Sequence, residues 1–241
     1  MQTDDRYHFS KAYFLPWIGG EYGRCAGPKV LVFGDSHYCG CAPCVAADKC
    51  GVRGTGAGMT HDEMYSYMED CVCFTRRIVS GYLRFRQGKA ERDGLWMTGT
   101  YMSFEKIFLH RPFVSPEESV KLWNRIAFCN FLQTAISDSP DNRSYTDEDY
   151  AKSSPIASGI VEVLRPDVVI VWGRRAYDYW EIPGWEYTGL TEQDREKGDQ
   201  GKYHLNDGAV VHVIRIDHPS RAHQAWWGEK LEEFLHHYRE L

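Results

Sequence analysis

Three polar residues of different chemistry, Asp35, Asn130 and His218, each stand at or just beyond the end of a short apolar run. A carboxylate can stabilise a neighbouring cation or take a proton from water. A primary amide offers donors and acceptors for reading the edge of a ligand. A neutral imidazole still donates from one ring nitrogen while accepting at the other. Ser36, next to Asp35, adds a hydroxyl that a histidine could activate as a nucleophile.

The runs that precede these residues are Val30 to Phe33, Arg125 to Cys129, Val168 to Trp172 and Val210 to Ile216. Stretches of Val, Ile and Phe that are apolar on both faces suit buried parallel strands covered by helices on either side. Helix-like stretches lie between them. Ser115 caps a helix from Pro116 to Trp123, with Pro116 at its first position and Glu117 and Glu118 in its first turn. A second helix is expected from Pro155 to Leu164, stopped by Arg165-Pro166-Asp167. Near the end, Trp227, Leu231, Phe234, Leu235, Tyr238 and Leu241 share one helical face. The alternation predicts an α/β fold: a three-layer, doubly wound, mostly parallel four-stranded sheet. Ligands of such sheets bind outside the carboxyl ends of the strands, where Asp35, Asn130, Gly173 and His218 fall.

At 241 residues, without internal repeats or a Ser/Gly-rich linker, the chain reads as one domain, 1–241, with an insertion at about 39–112. No apolar run approaches the roughly 20 residues of a membrane span, and Met1 to Tyr7 is polar and acidic. A cytoplasmic monomer without a membrane partner is expected. The net charge of -6 argues against a polyanion spread over the whole surface, but a single face can differ from the sum. Arg76, Arg77, Arg84, Arg86, Lys89 and Arg92, interleaved with Phe74, Tyr82 and Phe85, suit a nucleic-acid surface. They equally suit a solvated helix whose Ile78, Tyr82 and Phe85 face the core.

Of eight cysteines, six crowd between Cys39 and Cys73. In a reducing compartment such crowding favours metal over disulfide. The spacing Cys41-x-x-Cys44 fits half of a knuckle, so Cys39, Cys41, Cys44 and Cys50 are the candidate ligands of a structural zinc. Cys71 and Cys73 are too close for that pattern, and free thiols are the alternative. No catalytic metal or other cofactor is expected.

Four blocks give the chain a family resemblance. They are Val30-Leu31-Val32-Phe33-Gly34-Asp35-Ser36-His37-Tyr38, Ile126-Ala127-Phe128-Cys129-Asn130-Phe131-Leu132, Pro166 to Ala176, and Ile216-Asp217-His218-Pro219-Ser220. In this order, each at a strand end, they resemble the uracil-DNA glycosylase superfamily, as a divergent member. The resemblance implies a DNA glycosylase of base-excision repair that flips out uracil or a modified pyrimidine and hydrolyses its N-glycosidic bond. It implies Asp35 as the acidic group serving the sugar and water, and His218 as donor to the base oxygen where charge develops. Asn130 would read the base edge, and Tyr38 or Phe74 would stack on the base. Ser220 and Arg221 would contact phosphate, and DNA is the implied partner. The match departs most around Asp35, which directly follows the glycine, and after Ser220, where Arg221-Ala222-His223 stand instead of a proline and a wedge leucine.

Two other readings compete. Gly34-Asp35-Ser36 also resembles the first block of a GDS-type serine esterase, with Ser36 as nucleophile and His218 as base. That pattern sets an aspartate three residues before the histidine, whereas Asp217 is adjacent to His218 and should point away from the ring. The third reading is a catalytically silent nucleic-acid binder on the same fold.

Overall fold

The computed structural model describes residues 6–9, 12–38, 73–92, 95, 97–133, 135–137, 145–180, 186–187 and 200–236. All four apolar runs form strands: β2 (Val30–Gly34), β4 (Ile126–Asn130), β6 (Val168–Trp172) and β9 (Val210–Ile216). They lie in the order β4-β2-β6-β9 and are mutually parallel. The sheet is nevertheless mixed and seven-stranded, where the apolar runs alone predicted four strands. Antiparallel strands extend both edges: β1 (Trp17–Ile18) pairs with β4, and β8 (Gln200–His204) and β7 (Glu186–Tyr187) continue beyond β9. Extra strands of this kind cover the backbone donors and acceptors that a parallel core would expose at its edges. β8 turns into β9 through Gly208, whose φ of 84° favours a residue without a Cβ. A separate two-stranded parallel sheet joins β3 (His37–Tyr38) to β5 (Ala135–Ser137).

Side chains alternate between two faces of the sheet, and each face carries its own core. Leu31, Phe33, Cys129, Val169 and Val171 pack on one side with α4 (Asp147–Leu164) and α5 (Arg174–Asp178). Val32, Phe128, Ile170, Trp172 and Ile216 pack on the other, against α1 (Phe74–Arg86), α2 (Thr98–Phe108), α3 (Pro116–Arg125) and α6 (Gln224–His236). The protein is therefore α/β, with helices on both faces. α1 and α2 belong to the stretch read as an insertion, yet Val79, Tyr82, Tyr101 and Phe104 are part of the second core. Residues 39–72, including Cys39, Cys41, Cys44, Cys50 and Cys71, lie outside the described residues.

Local signals explain the helix ends. Ser115 and Glu118 form a reciprocal capping box at the start of α3. α4 begins earlier than Pro155 because Thr146 and Asp149 form a second capping box, and Pro155 sits inside the helix. Proline removes one backbone donor, which would have bonded the carbonyl four residues back. That residue, Ala151, is exposed, so water can serve the freed carbonyl. Arg165 ends α4 in the left-handed conformation, with φ 47°. In α6 the buried residues are Trp227, Gly228, Leu231, Phe234 and Leu235, while Tyr238 and Leu241 lie outside the described residues.

The basic stretch divides. Arg77 and Arg84 are exposed on α1. Arg76 is buried and donates to the Pro16 carbonyl at 2.8 Å. Arg86 donates to the Val114 carbonyl and lies 3.7 Å from the buried Glu105 carboxylate. Two of the arginines expected to face solvent or phosphate are thus internal ties. No helix among the described residues is long and apolar enough to cross a membrane.

Candidate functional site

The strand order puts a crevice at the carboxyl ends of β2 and β6. From β2, the first of the four core strands in the chain, the path goes to β4 on one side and then crosses to β6 on the other, and ligands of doubly wound sheets bind at such a reversal. A cavity of about 430 Å³ occupies this position. It is lined by Asp35, Ser36, Phe74, Asn130, His218, Ser220 and Arg221, so the expected residues from three strand ends meet in one place. Among the expected base-binding residues only the side chain of Tyr38 lies outside the description.

Backbone pairing fixes Asp35 and Asn130 relative to each other. Gly34 and Asn130 are register partners, and beyond them Phe131 N–H donates to the Gly34 carbonyl at 2.8 Å and Leu132 N–H to the Asp35 carbonyl at 3.0 Å. Buried Gln133 adds a 2.9 Å bond from its amide to the Asn130 carbonyl. The Asn130 side chain crosses over Gly34, where a Cβ would stand 2.2 Å from Asn130 Oδ1. Glycine is therefore required here by close approach. Asn130 Nδ2 donates to the Ser36 carbonyl at 2.8 Å. Its second N–H and its oxygen are what remain for a ligand.

Asp35 is half-buried, and its Oδ1 accepts a 2.6 Å hydrogen bond from the Tyr150 hydroxyl. Burial, followed by the charge and hydrogen bond of Asp35, raises the Tyr150 hydroxyl well above its ordinary range, so the proton stays on the phenol. The Tyr150 ring is itself held. Tyr179 stacks on it at 5.5 Å, and the Arg175 guanidinium lies 4.9 Å from its centroid. Arg175 also pairs with Asp147, and the hydrogen bond from Arg175 pulls the Asp147 carboxyl below its usual range.

His218 sits two residues past the last paired residue of β9, Ile216. Its ring meets Trp172 edge to face at 6.0 Å. Ser220 places both its hydroxyl, at 2.8 Å, and its backbone N–H, at 3.4 Å, against His218 Nδ1. A backbone N–H can only donate, so Nδ1 accepts and the neutral ring carries its proton on Nε2. The Ser220 hydroxyl that was expected on phosphate is thus engaged with the imidazole, and contact with phosphate would compete with that bond. Arg221 is exposed at the rim. The lining also holds Arg174 and Arg175, paired with Asp178 and Asp147 respectively.

Other polar groups near the cavity have structural partners. His37 is buried, donates from Nδ1 to the Leu132 carbonyl at 3.0 Å, and accepts from the Thr75 hydroxyl at 2.8 Å. Burial pushes its imidazole down to about 3, so it is neutral and unsuited to proton transfer near neutral pH. Phe74 packs edge-on to His37 at 5.9 Å and lines the cavity as a half-buried ring available for stacking. Asp217 accepts from Arg215 at 3.2 Å and from the Trp227 indole at 3.1 Å. Its oxygens are held by Arg215 of β9 and Trp227 of α6 rather than by the His218 ring.

Tyr150, Tyr145, Arg175 and Trp172 line the cavity but had no assigned role in the sequence. The Thr146-x-x-Asp149 capping pattern was the available signal for the first two, since it begins the helix that carries Tyr150 to Asp35. Among the described residues no group of three or more His, Cys, Asp or Glu could hold a metal ion. Cys73 and Cys129 are buried, and burial pushes the Cys129 thiol up to about 12.

No family model matches the chain, and no curated protein matches it.

Proposed function

We propose that the protein is a DNA glycosylase of the uracil-DNA glycosylase type, excising uracil or a modified pyrimidine from a flipped nucleotide. The observation that carries this reading is the convergence of Asp35, Asn130, His218 and Phe74 on one cavity at the reversal of the strand order. Base release breaks the C1′–N bond, and the electron pair leaves with the base. Asp35 faces the sugar as cationic character develops at C1′, and takes a proton from the water whose oxygen adds there. His218, with its proton on Nε2, donates to the base oxygen that gains negative charge. Asn130 reads the base edge with the N–H and oxygen left over from its bond to Ser36. Phe74 offers a stacking face, and Arg221 offers charge to a flanking phosphate.

The parallel central strands and the helices on both faces support a fold of this type. The serine esterase reading is weakened by Asp217, whose oxygens go to Arg215 and Trp227 rather than to His218. The test is incubation with single- and double-stranded oligonucleotides carrying uracil, other deaminated bases or substituted pyrimidines, followed by alkaline cleavage at abasic sites. Cleavage dependent on the protein is expected. Tight DNA binding without an abasic product from any base would instead identify a silent binder.

A further inference from the structure

A water that attacks C1′ needs more than the carboxylate of Asp35. Its oxygen must turn a lone pair toward that carbon, so both of its hydrogens have to be held elsewhere. Asp35 takes one of them, and the other requires a second acceptor.

Ser36 stands beside Asp35 with an unused oxygen. The two residues follow each other at a bend of the chain, and both line the cavity. Ser36 is only 7% exposed, yet among the described residues its hydroxyl makes no hydrogen bond, and it is not sealed from solvent. Polar groups so deeply placed almost always have a partner, whether protein or water. Other hydroxyls of the cavity are engaged: Tyr150 with Asp35, Thr75 with His37, and Ser220 with His218.

The backbone that carries this hydroxyl is tied on both sides. Leu132 N–H donates to the Asp35 carbonyl at 3.0 Å, and Asn130 Nδ2 donates to the Ser36 carbonyl at 2.8 Å. The His37 ring is anchored to the Leu132 carbonyl and the Thr75 hydroxyl. Rotation about χ1 is the freedom left to Ser36 Oγ, which suits a group that must be in place before the reaction.

We propose that Ser36 is a further catalytic residue of this site: its Oγ accepts one hydrogen of the attacking water while Asp35 takes the other, and the two together aim the water at C1′. The proposal rests on the glycosylase reading for the substrate and the step. The bond from the water oxygen to C1′ forms as the C1′–N bond breaks, and that electron pair leaves with the base. The proton on the Asp35 side passes to the carboxylate. The hydrogen on the Ser36 side stays on the new sugar hydroxyl, so Ser36 needs no base of its own.

Methanol tests this hold on the water. It has one O–H hydrogen, which Asp35 can take, and a methyl group that cannot donate to Ser36. The wild type should therefore favour water, while Ser36→Ala loses the acceptor and offers methyl to methyl. The experiment follows single-turnover base release, with and without methanol, from whichever oligonucleotide the wild type cleaves fastest among those carrying uracil, another deaminated base or a substituted pyrimidine. Mass spectrometry gives the ratio of methyl glycoside to abasic sugar, and urea midpoints establish that the variants are folded. Thr100→Ala, which removes another hydroxyl lining the cavity from α2, is the control.

Ser36→Ala should release base about tenfold more slowly, the scale of one hydrogen bond, and raise the methyl glycoside ratio by about three- to tenfold. Thr100→Ala should leave the ratio where it is. An unmoved ratio in Ser36→Ala, whatever its rate, would overturn the proposal and leave the glycosylase reading standing. An equal rise in Thr100→Ala would do the same, since it would report a loosened cavity. No release by the wild type from any oligonucleotide would overturn both, and hydrolysis of a short-chain ester that is lost in Ser36→Ala would then make Ser36 a nucleophile instead.

Discussion

Tyr150 donates a 2.6 Å hydrogen bond to Asp35 Oδ1, tying the middle of the chain to the loop after its first core strand. The phenol is a positioning group: it fixes the carboxylate and favours its ionised form. Stacking by Tyr179 and the guanidinium of Arg175 holds the phenol in turn.

Removing that hydroxyl should therefore weaken chemistry more than binding. For Tyr150→Phe we expect single-turnover base release to fall by about tenfold, with little change in affinity for DNA. The sign of the pH effect follows from the bond. A donor to a carboxylate stabilises the charged form, so its loss should move the acid limb of the pH–rate profile to higher pH. A uniform fall in rate with an unmoved limb would make Tyr150 merely structural.

The position of Tyr150 beside Asp35 is not legible in the sequence, whereas much of the core is. The four core strands were legible because their residues are apolar on both faces, and Asp35, Asn130 and His218 were legible because they follow those strands. The α4 start was misplaced at Pro155, since proline commonly opens a helix and the capping pair Thr146 and Asp149 lies before it. Tyr150 thus fell in an unassigned stretch. Edge strands β1 and β7 are only two residues long, and β8, Gln200–His204, carries little apolar character, so pairing with β9 decides its conformation. Arg76 and Arg86 looked like surface charge because sequence composition cannot reveal the Pro16 and Val114 carbonyls that bring them inside.

Gly34→Ala tests the contact between the first two strand ends. A Cβ would sit 2.2 Å from Asn130 Oδ1 and 3.0 Å from the Phe128 ring, so the asparagine must leave its place over β2. We expect a loss of about 1–3 kcal/mol in urea unfolding and a fall in base release at least as large as that of Asn130→Ala. Unchanged stability and activity would contradict the crossing of Asn130 over Gly34.

Glu105 offers a test of the α1, α2 and α3 layer that backs the cavity. It is fully buried and accepts from the Tyr82 hydroxyl at 2.6 Å, from Ser119, and from the Trp123 indole at 2.9 Å, with Arg86 3.7 Å away. Glu105→Ala leaves three donors without their acceptor and the buried Arg86 guanidinium without its counter-charge. A destabilisation of about 3–5 kcal/mol is expected from the thermal or urea transition. A change within about 0.5 kcal/mol, the range of ordinary surface substitutions, would show that the network contributes nothing.

His37 should make stability depend on pH. Its imidazole is held down to about 3 by burial, against an ordinary value of 6.5. Between these values the unfolded chain binds the proton and the folded protein does not. Stability from this group is therefore complete above about pH 6.5 and declines as pH falls, by up to about 1.4 kcal/mol per pH unit. Gln at position 37 can donate to Leu132 and accept from Thr75 without titrating. Urea midpoints from pH 4 to 7 should vary less in His37→Gln than in the wild type, and equal slopes would refute the assignment.

The most direct measurement of the central claim is single-turnover abasic-site formation by Asp35→Asn and His218→Ala, beside the wild type, on the base that the wild type releases fastest. Both variants should retain the wild-type circular dichroism spectrum and unfolding midpoint within about 1 kcal/mol, and lose on the order of 100-fold or more in rate, as removal of a single preorganised group does elsewhere. Wild-type rates in both folded variants would contradict the site.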